Sequence, residues 1–175
     1  MKILWSVNTI IPDVANAIGL RQSHAISWVD AMRTALLEHK PEVELCIVCS
    51  GDGQVNDLLK ESVNGITYYI MPSNRKRAQY WDRIINEYCP EVIHAYGTEK
   101  CHNIPLIDKY ADKIPIIISL QGLLSEYKRH YYAFIPLKTI LLNYTVRDFI
   151  RGGIIKGKRN FEKQGKKEQE NSPYH

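Results

Sequence analysis

The sequence predicts an α/β fold: a Rossmann-like, doubly wound, mostly parallel sheet with a helical, basic C-terminal extension. Short apolar runs rich in β-branched residues alternate with helix-like stretches through the first 120 residues. One run, residues 114–120, is apolar at nearly every position, which is typical of a strand covered by helices on both faces. Two runs end in a glycine turn with polar side chains, and ligands bind at such turns in open α/β sheets.

The amino-terminal part predicts a strand, a loop and a helix. Lys2–Val7 is predicted as a central strand because it is short, mostly apolar and followed by turn-forming residues. Residues 8–23 are predicted as a loop, with turn residues Pro12, Asp13, Asn16 and Gly19. A helix is predicted to follow and to end at Pro41. Its apolar stripe at helical spacing is expected to face the sheet through Trp28, Met32, Ala35 and Leu36.

The next part predicts two strands and two helices. Residues 43–49 are predicted as a strand, and the glycine turn at residues 50–53 matches no phosphate-binding fingerprint. Residues 55–63 are predicted as a short helix, followed by a turn at Asn64-Gly65 and a strand at 66–71. Residues 75–88 form a long predicted helix. Its apolar stripe consists of Tyr80, Trp81, Ile84, Ile85 and Tyr88.

The stretch from Pro90 to His102 is the part most suggestive of a ligand site. A predicted strand at 92–96 ends at Gly97, and polar residues follow directly, before a predicted helix at 104–110. These polar residues are Thr98, Glu99, Lys100 and His102. A polar cluster between a strand and a helix fits a binding site at the carboxyl end of the sheet. It fits an ordinary solvated turn equally well, and Glu99 there equally fits a helix-start carboxylate.

The chain changes character after the second glycine turn, Gln121-Gly122. We expect one domain over residues 1–125 and a helical, basic extension over residues 126–175. The extension contains a predicted amphipathic helix at 134–150. Residues 151–170 hold seven Lys or Arg against three Glu, so that segment is predicted to be flexible or weakly packed. Such a segment fits a solvated linker, or a surface for an anionic membrane or a phosphorylated ligand.

Neither a metal nor a targeting segment is predicted. Cys46 and Cys49 have Cys-x-x-Cys spacing, but residues three apart in a strand point to opposite faces, so both are predicted to be buried apolar side chains. The remaining Cys and His residues match no standard zinc spacing. The amino terminus lacks a signal-peptide pattern, and no apolar run approaches a transmembrane length. We therefore expect a cytoplasmic protein.

Three stretches resemble the N-terminal domain of a family 4-type retaining glycosyltransferase with the two-Rossmann GT-B architecture. They are Met1-Lys-Ile-Leu-Trp5, Pro90-Glu-Val-Ile-His-Ala-Tyr-Gly-Thr-Glu99 and Pro115-Ile-Ile-Ile-Ser-Leu-Gln-Gly-Leu123. Residues 134–170 look like the linker region of some bacterial members. The resemblance covers most of the chain, although each motif is short.

The resemblance implies the acceptor-side half of an enzyme that transfers a sugar from a nucleotide sugar to a saccharide or lipid-linked acceptor in surface polysaccharide synthesis. The donor-binding C-terminal domain is expected to lie outside these 175 residues, so this half alone is expected to be inactive. No cofactor or essential metal is implied. The implied substrate-binding residues are Gly19, Gly97, Thr98, Glu99, His102, Gln121 and Gly122.

Two departures from the family pattern affect these residues. Gln121 stands where many members have His, which leaves hydrogen bonding but no titratable group. Ile26-Ser27 stands before Trp28 where many members have a glycine pair, so Gly19 is the expected substitute for close approach to a diphosphate.

Two alternatives remain. The first is a free-standing domain that docks on an anionic membrane through residues 128–167. It is compatible with the enzyme hypothesis, because the acceptors of such enzymes are often lipid-linked. The second is a nucleotide-binding enzyme complete in one domain, which would lack any phosphate-binding fingerprint. The expected partners are the missing domain, the acceptor and the inner face of a membrane. Nucleic acid is not an expected partner.

Overall fold

A computed structural model of the protein describes residues 1–21, 27–51, 53–74, 76–97, 102–120, 127 and 129–170. The chain divides into two compact units, Met1–Ser119 and Leu120–His175. The first unit is an α/β domain and the second is helical.

The first unit is built on a twisted sheet in which six strands are described. In chain order they are β1 Lys2–Val7, β2 Glu44–Ser50, β3 Leu59–Val63, β4 Ile66–Met71, β5 Val92–Tyr96 and β6 Ile116–Ser119. Their order across the sheet is β3-β4-β2-β1-β5-β6, and β3 pairs antiparallel with β4 while the other neighbours are parallel. The predicted Rossmann-like, mostly parallel sheet is therefore confirmed.

Helices cover both faces of this sheet. They are α1 Pro12–Ile18, α2 Ser27–His39, α3 Arg77–Tyr88 and α4 Ile104–Tyr110. The first two helices share a core with the strand residues Trp5 and Ile47, and the last two share a core with Leu4 and Cys46. Successive strand residues point to opposite faces, so each inner strand supplies both cores.

The buried stripe of α3 is confirmed residue by residue. Tyr80, Trp81, Ile84, Ile85 and Tyr88 are all buried.

The cysteine prediction is also confirmed, because Cys46 and Cys49 are free thiols that lie in the two different cores. Burial raises the pKa of Cys49 to about 12 and raises that of Cys46 as well, so both thiols stay protonated and unreactive at neutral pH.

Two of the predicted elements in the first 65 residues were wrong. Residues 8–23 contain α1, because Pro12 begins that helix and Gly19 ends it in a left-handed conformation with φ of 70°. Residues 55–63 contain strand β3 instead of a helix. Asn64 and Gly65 both have positive φ and form the two-residue turn of a β3–β4 hairpin. The exposed, polar strand β3 lacks the apolar alternation that marks a half-buried strand.

Two predictions about burial also need correction. The run at 114–120 forms an edge strand, and Ile117 is 54% exposed because no described helix of the first unit covers it on that face. On α2, the side chain fully in the core is Val29, whereas Trp28 and Met32 of the predicted stripe remain partly exposed. Both errors lie on the same face of the sheet.

The second unit contains three described helices. They are α5 Leu137–Leu142, α6 Val146–Arg151 and α7 Gly153–Glu170. The predicted continuous helix over 134–150 is wrong, because Thr145 begins a new helix there. Its hydroxyl oxygen accepts from the backbone N–H of Asp148, and its own N–H donates to the Asp148 carboxylate. Among the described residues, no helix is both long and apolar enough to cross a membrane.

We predict that Gly51→Ala lowers the free energy of unfolding of the first unit by about 1–3 kcal/mol. A Cβ at this position would lie 2.5 Å from Val55 Cγ2 and 3.0 Å from the backbone oxygen of Met71, to which the Gly51 N–H donates. Urea unfolding followed by tryptophan fluorescence checks this, since all three tryptophans lie in the first unit. The control is Asn56→Ala at an exposed position of the same loop. Equal stability of the two variants would contradict the prediction.

Candidate functional site

The described strands have a topological switch point between β1 and β5. After β1 the chain passes to α1 and α2 on one face of the sheet, and after β5 it passes to α4 on the other. The two strands are adjacent and parallel, with Ser6 opposite Ala95. In open α/β sheets the carboxyl ends of such strands diverge and leave a crevice where ligands bind. This edge of the sheet is the candidate site.

A buried polar cluster forms the floor of this edge. Ser6, near the end of β1, donates a short hydrogen bond to Oδ1 of Asn103, and its Oγ lies 3.2 Å from Nε2 of His102. Nδ2 of Asn103 donates to the backbone oxygen of Gly97, at 2.9 Å. The cluster therefore joins the end of β1, the end of β5 and the residue that precedes α4, although Ser6 and Asn103 are 97 positions apart.

Gly97 is held from two sides. Its N–H donates to the backbone oxygen of Ser119 in β6, at 2.8 Å, and its carbonyl accepts from Asn103. Its φ is 82°, a conformation that strongly favours glycine. On the other side of residues 98–101, the backbone oxygen of His102 accepts from Nε1 of Trp81, at 2.7 Å. The predicted polar turn thus lies between two anchored residues.

The role of the cluster is structural, and Ser6 does not serve as a nucleophile. Ser6, His102 and Asn103 are residue types that can serve in catalysis as a nucleophile, its general base and a group that orients the base. Here Ser6 and Asn103 have no exposed surface and His102 is only 2% exposed, so substrate has no path to the Ser6 hydroxyl. What the cluster does is fix the backbone at the carboxyl edge.

The predicted site residues fall into two groups. Gly97 and His102 lie together at the switch point, and Gly19 lies at the end of α1, where it caps the helix and has open space where a Cβ would point. Thr98, Glu99, Gln121 and Gly122 lie outside the described residues. The binding role assigned to each of the seven stays a prediction.

An aromatic wall adjoins the same edge on the α2 face. Trp28 at the start of α2 packs edge-on against Tyr96, the last residue of β5, with ring centroids 5.3 Å apart. Trp5 contacts Tyr96 in the same way from β1, also at 5.3 Å. The Tyr96 hydroxyl is buried and has no hydrogen-bond partner within the described ranges. Trp28 is 38% exposed, so the wall presents an aromatic edge to solvent.

A groove of about 460 Å³ continues from this wall between α2 and the β5–β6 edge. Its lining is mostly apolar and includes Ile3, Met32, Leu36 and Ile117. His94 on β5 also lines the groove, and its Nε2 lies 2.7 Å from the Ser119 hydroxyl. Burial lowers the pKa of His94, so the ring is neutral at neutral pH.

Sequence reasoning missed Ser6, Asn103 and the aromatic wall. Asn103 precedes a helix start, which is the position of a capping residue, but its side chain makes no capping hydrogen bond and bonds Ser6 and Gly97 instead. Trp5 and Tyr96 face the same way because each follows the period of two in its own strand. No comparable signal links Ser6 with Asn103, since nothing local in the sequence relates the two positions.

The described residues offer no grouping of three or more His, Cys, Asp or Glu side chains that could hold a metal ion. The chemistry available at this edge is hydrogen bonding and aromatic contact.

We predict that Asn103→Ala lowers the free energy of unfolding by about 2–4 kcal/mol, because it leaves the Ser6 hydroxyl and the Gly97 carbonyl buried without this partner. Urea unfolding followed by tryptophan fluorescence measures the change. Asn86→Ala, at an exposed position of α3, is the matched control. A double-mutant cycle with Ser6→Ala should show coupling, and strictly additive effects would contradict the cluster.

We predict that His94 makes the first unit less stable at acid pH. The folded-state pKa of His94 is below its ordinary value of 6.5, so the unfolded chain binds more protons as the pH falls and stability is lost in acid. In His94→Gln, which keeps a group able to bond Ser119, the loss of stability between about pH 7.5 and pH 5 should be smaller than in the unmodified protein. His39→Gln, at the exposed rim of the groove, is the control. Identical pH profiles for all three proteins would contradict the prediction.

The carboxyl edge therefore combines a buried polar floor, a glycine turn and an aromatic wall. The order of β1, β5 and β6 across the sheet brings these parts together. Comparisons with models of protein families, with curated proteins and with solved structures found no match for this chain.

Proposed function

We propose that this chain is the acceptor-side half of a retaining glycosyltransferase of the two-Rossmann type. It would form one wall of a cleft in which a sugar passes from a nucleotide-sugar donor to a saccharide or lipid-linked acceptor. The proposed setting is surface polysaccharide synthesis in the cytoplasm, at the inner face of a membrane. The donor nucleotide would be bound by a second domain.

The observation that carries the proposal is the location of the motifs behind the resemblance. The first motif contains most of β1, the second contains β5 and Gly97, and the third contains β6. These three strands are neighbours in the sheet, and their carboxyl ends share one edge at the switch point. The second motif begins 85 positions after the first ends, and the third begins 16 positions after the second ends, yet all three meet at the edge where α/β domains bind ligands.

The chemistry of the edge supports an acceptor over a donor. A diphosphate needs backbone N–H groups at a helix start or basic side chains. In the described part of the edge, the polar groups of Ser6 and Asn103 are bonded to one another or to Gly97. Trp28, which is 38% exposed and packs on Tyr96, offers apolar and aromatic contact instead. A sugar ring has both an apolar face and hydroxyl groups, so such a surface suits it.

In catalysis, this chain would position the acceptor, and it would not supply the charge that stabilises the leaving group. Departure of a diphosphate from a sugar leaves a positively charged centre, and stabilisation of the leaving group dominates the barrier. That stabilisation would come from the other domain. The buried cluster would fix the backbone of the carboxyl edge, and that edge would hold the acceptor at the distance and angle that the transfer needs.

We predict that this chain alone binds saccharides weakly and nucleotide sugars not measurably. Amide chemical shifts in ¹⁵N-labelled protein should move for Gly97, His102 and Asn103 on titration with oligosaccharides, because the acceptor would lie over the polar floor. Shifts in the edge strand β3 should not move, which provides the internal control. Trp28→Ala should weaken the response, while Met32→Ala, also partly exposed on α2, should leave it unchanged.

Two results would refute the proposal. Micromolar binding of a nucleotide sugar, measured by isothermal titration calorimetry, would indicate a complete nucleotide site in this chain. Shifts that are absent with every saccharide tested, or that are confined to the second unit, would remove the acceptor site.

A further inference from the structure

The second unit exposes an unusual number of large apolar side chains. Between Phe134 and Ile150 they come from the turn before α5, from α5 and from α6. Phe134 is 90% exposed and Phe149 is 82% exposed. The others in this apolar segment that are more than half exposed are Leu137, Leu141, Leu142, Val146 and Ile150. Single exposed apolar residues are ordinary, but a concentration of this kind marks an interaction surface.

The apolar segment does not close a core of its own. Helices α5 and α6 have six residues each, so neither is long enough to bury an apolar stripe against the other. A hollow of about 300 Å³ remains between them and α7, with Ile140, Tyr144 and Ile154 in its lining. Ile140 is the buried apolar residue of α5, and a further contact of the unit joins Phe161 on α7 to Tyr131, with ring centroids 5.2 Å apart.

The charged residues in and beside the apolar segment are mostly basic. Residues 134–159 contain six Lys or Arg and one acidic residue, which gives a net charge of +5. That residue, Asp148, accepts hydrogen bonds from the N–H and the hydroxyl of Thr145, and these bonds lower its pKa. The basic residues are Lys138, Arg147, Arg151, Lys156, Lys158 and Arg159.

A second basic feature lies further along α7. A cavity of about 510 Å³ is lined by Arg129, Arg159, Lys163 and Lys166, together with Glu162. Glu162 also lies 3.5 Å from the ammonium group of Lys158, so its charge is partly balanced within the helix. Four cationic side chains around one hollow suit an anionic group such as a phosphate.

We propose that the second unit docks on an anionic lipid bilayer, with the apolar segment inserted among the acyl chains and the basic side chains on the headgroups. Short amphipathic helices with Lys and Arg beside apolar residues bind in this way, because apolar burial and attraction to anionic lipid add together. A protein partner would need apolar contact but not this excess of one charge. The inference does not depend on the proposed function of the first unit.

Sedimentation with vesicles tests the docking on the whole chain. Vesicles of phosphatidylcholine mixed with phosphatidylglycerol should carry the protein down at low salt, and vesicles of phosphatidylcholine alone should bind about tenfold less or weaker still. High salt should release part of the bound protein, since screening weakens the charge term but not the apolar term.

Variants separate the apolar contribution to vesicle binding from the electrostatic one. Leu142→Gln/Phe149→Gln/Ile150→Gln should lower the partition onto anionic vesicles about tenfold or more, because three inserted side chains are lost. Arg147→Gln/Arg151→Gln should lower it severalfold and flatten its salt dependence. The matched control is Met32→Gln/Ile117→Gln, which removes exposed apolar residues from the first unit and should bind as the unmodified protein does. Circular dichroism confirms that each variant keeps its helices.

Direct insertion is read from Phe149→Trp, whose emission should shift to the blue and be quenched by brominated acyl chains. Three results would overturn the proposal. They are equal binding by the triple variant, absence of binding to anionic vesicles, and a dimer in solution that the triple variant dissociates. The last result would show that a second copy covers the apolar segment.

Discussion

A strand that ends inside a protein leaves polar backbone groups beyond the reach of water, and Asn103 provides the partner for one of them. Its amide N–H₂ donates to the Gly97 carbonyl at the end of β5, while its oxygen accepts from the Ser6 hydroxyl on β1. A buried carbonyl without a partner costs about 1–3 kcal/mol. A side chain that donates and accepts at once is therefore needed just before α4. At the carboxyl edge of the sheet, this one residue joins β1, β5 and the start of α4.

The helices cover the two faces of the sheet to different extents. On one face, Trp81 and Ile84 of α3 are wholly buried against Leu4 and its neighbours. On the other, α2 covers the middle of the sheet, while Ile117 on β6 and Met32 on α2 remain exposed along the groove. The first unit thus has a closed side that supplies stability and a more open side. The Trp28–Tyr96 contact lies at the end of the open side where ligands bind in this class of fold.

The second unit follows a different rule of burial. Its ordered contacts centre on Tyr131, which packs on Phe161 and lies so close to α7 that a Cβ on Gly157 would be 2.1 Å from the tyrosine oxygen. A residue larger than glycine would require the Tyr131 side chain to shift. Of the apolar side chains on α5 and α6, Ile140 is buried, whereas Leu142 and Phe149 are largely exposed. The first unit therefore keeps most of its large apolar residues inside, and the second presents many of them on its surface.

The sequence by itself determined the elements whose signals are local. The stripe of α3 repeats at the helical period, and β1 and β5 are short apolar runs bounded by turn residues, so each could be predicted within its own stretch. The class of fold followed from their alternation. The glycine turn at Gly97 was also evident, because a strand and a helix flank it.

Only the tertiary structure decided the features that depend on distant partners. Strand β3 is polar and exposed, so the turn at Asn64-Gly65 was evident in the sequence, but the strand before it was decided by its pairing with β4. Strand β6 is apolar except for Ser119, yet it lies at an edge of the described sheet, because the residues of a strand do not set its place in the strand order. Ser6 and Asn103 became partners only when β1 and β5 were placed side by side. Periodicity reports which face of an element is apolar, whereas what covers that face is set by contacts between residues far apart in the chain.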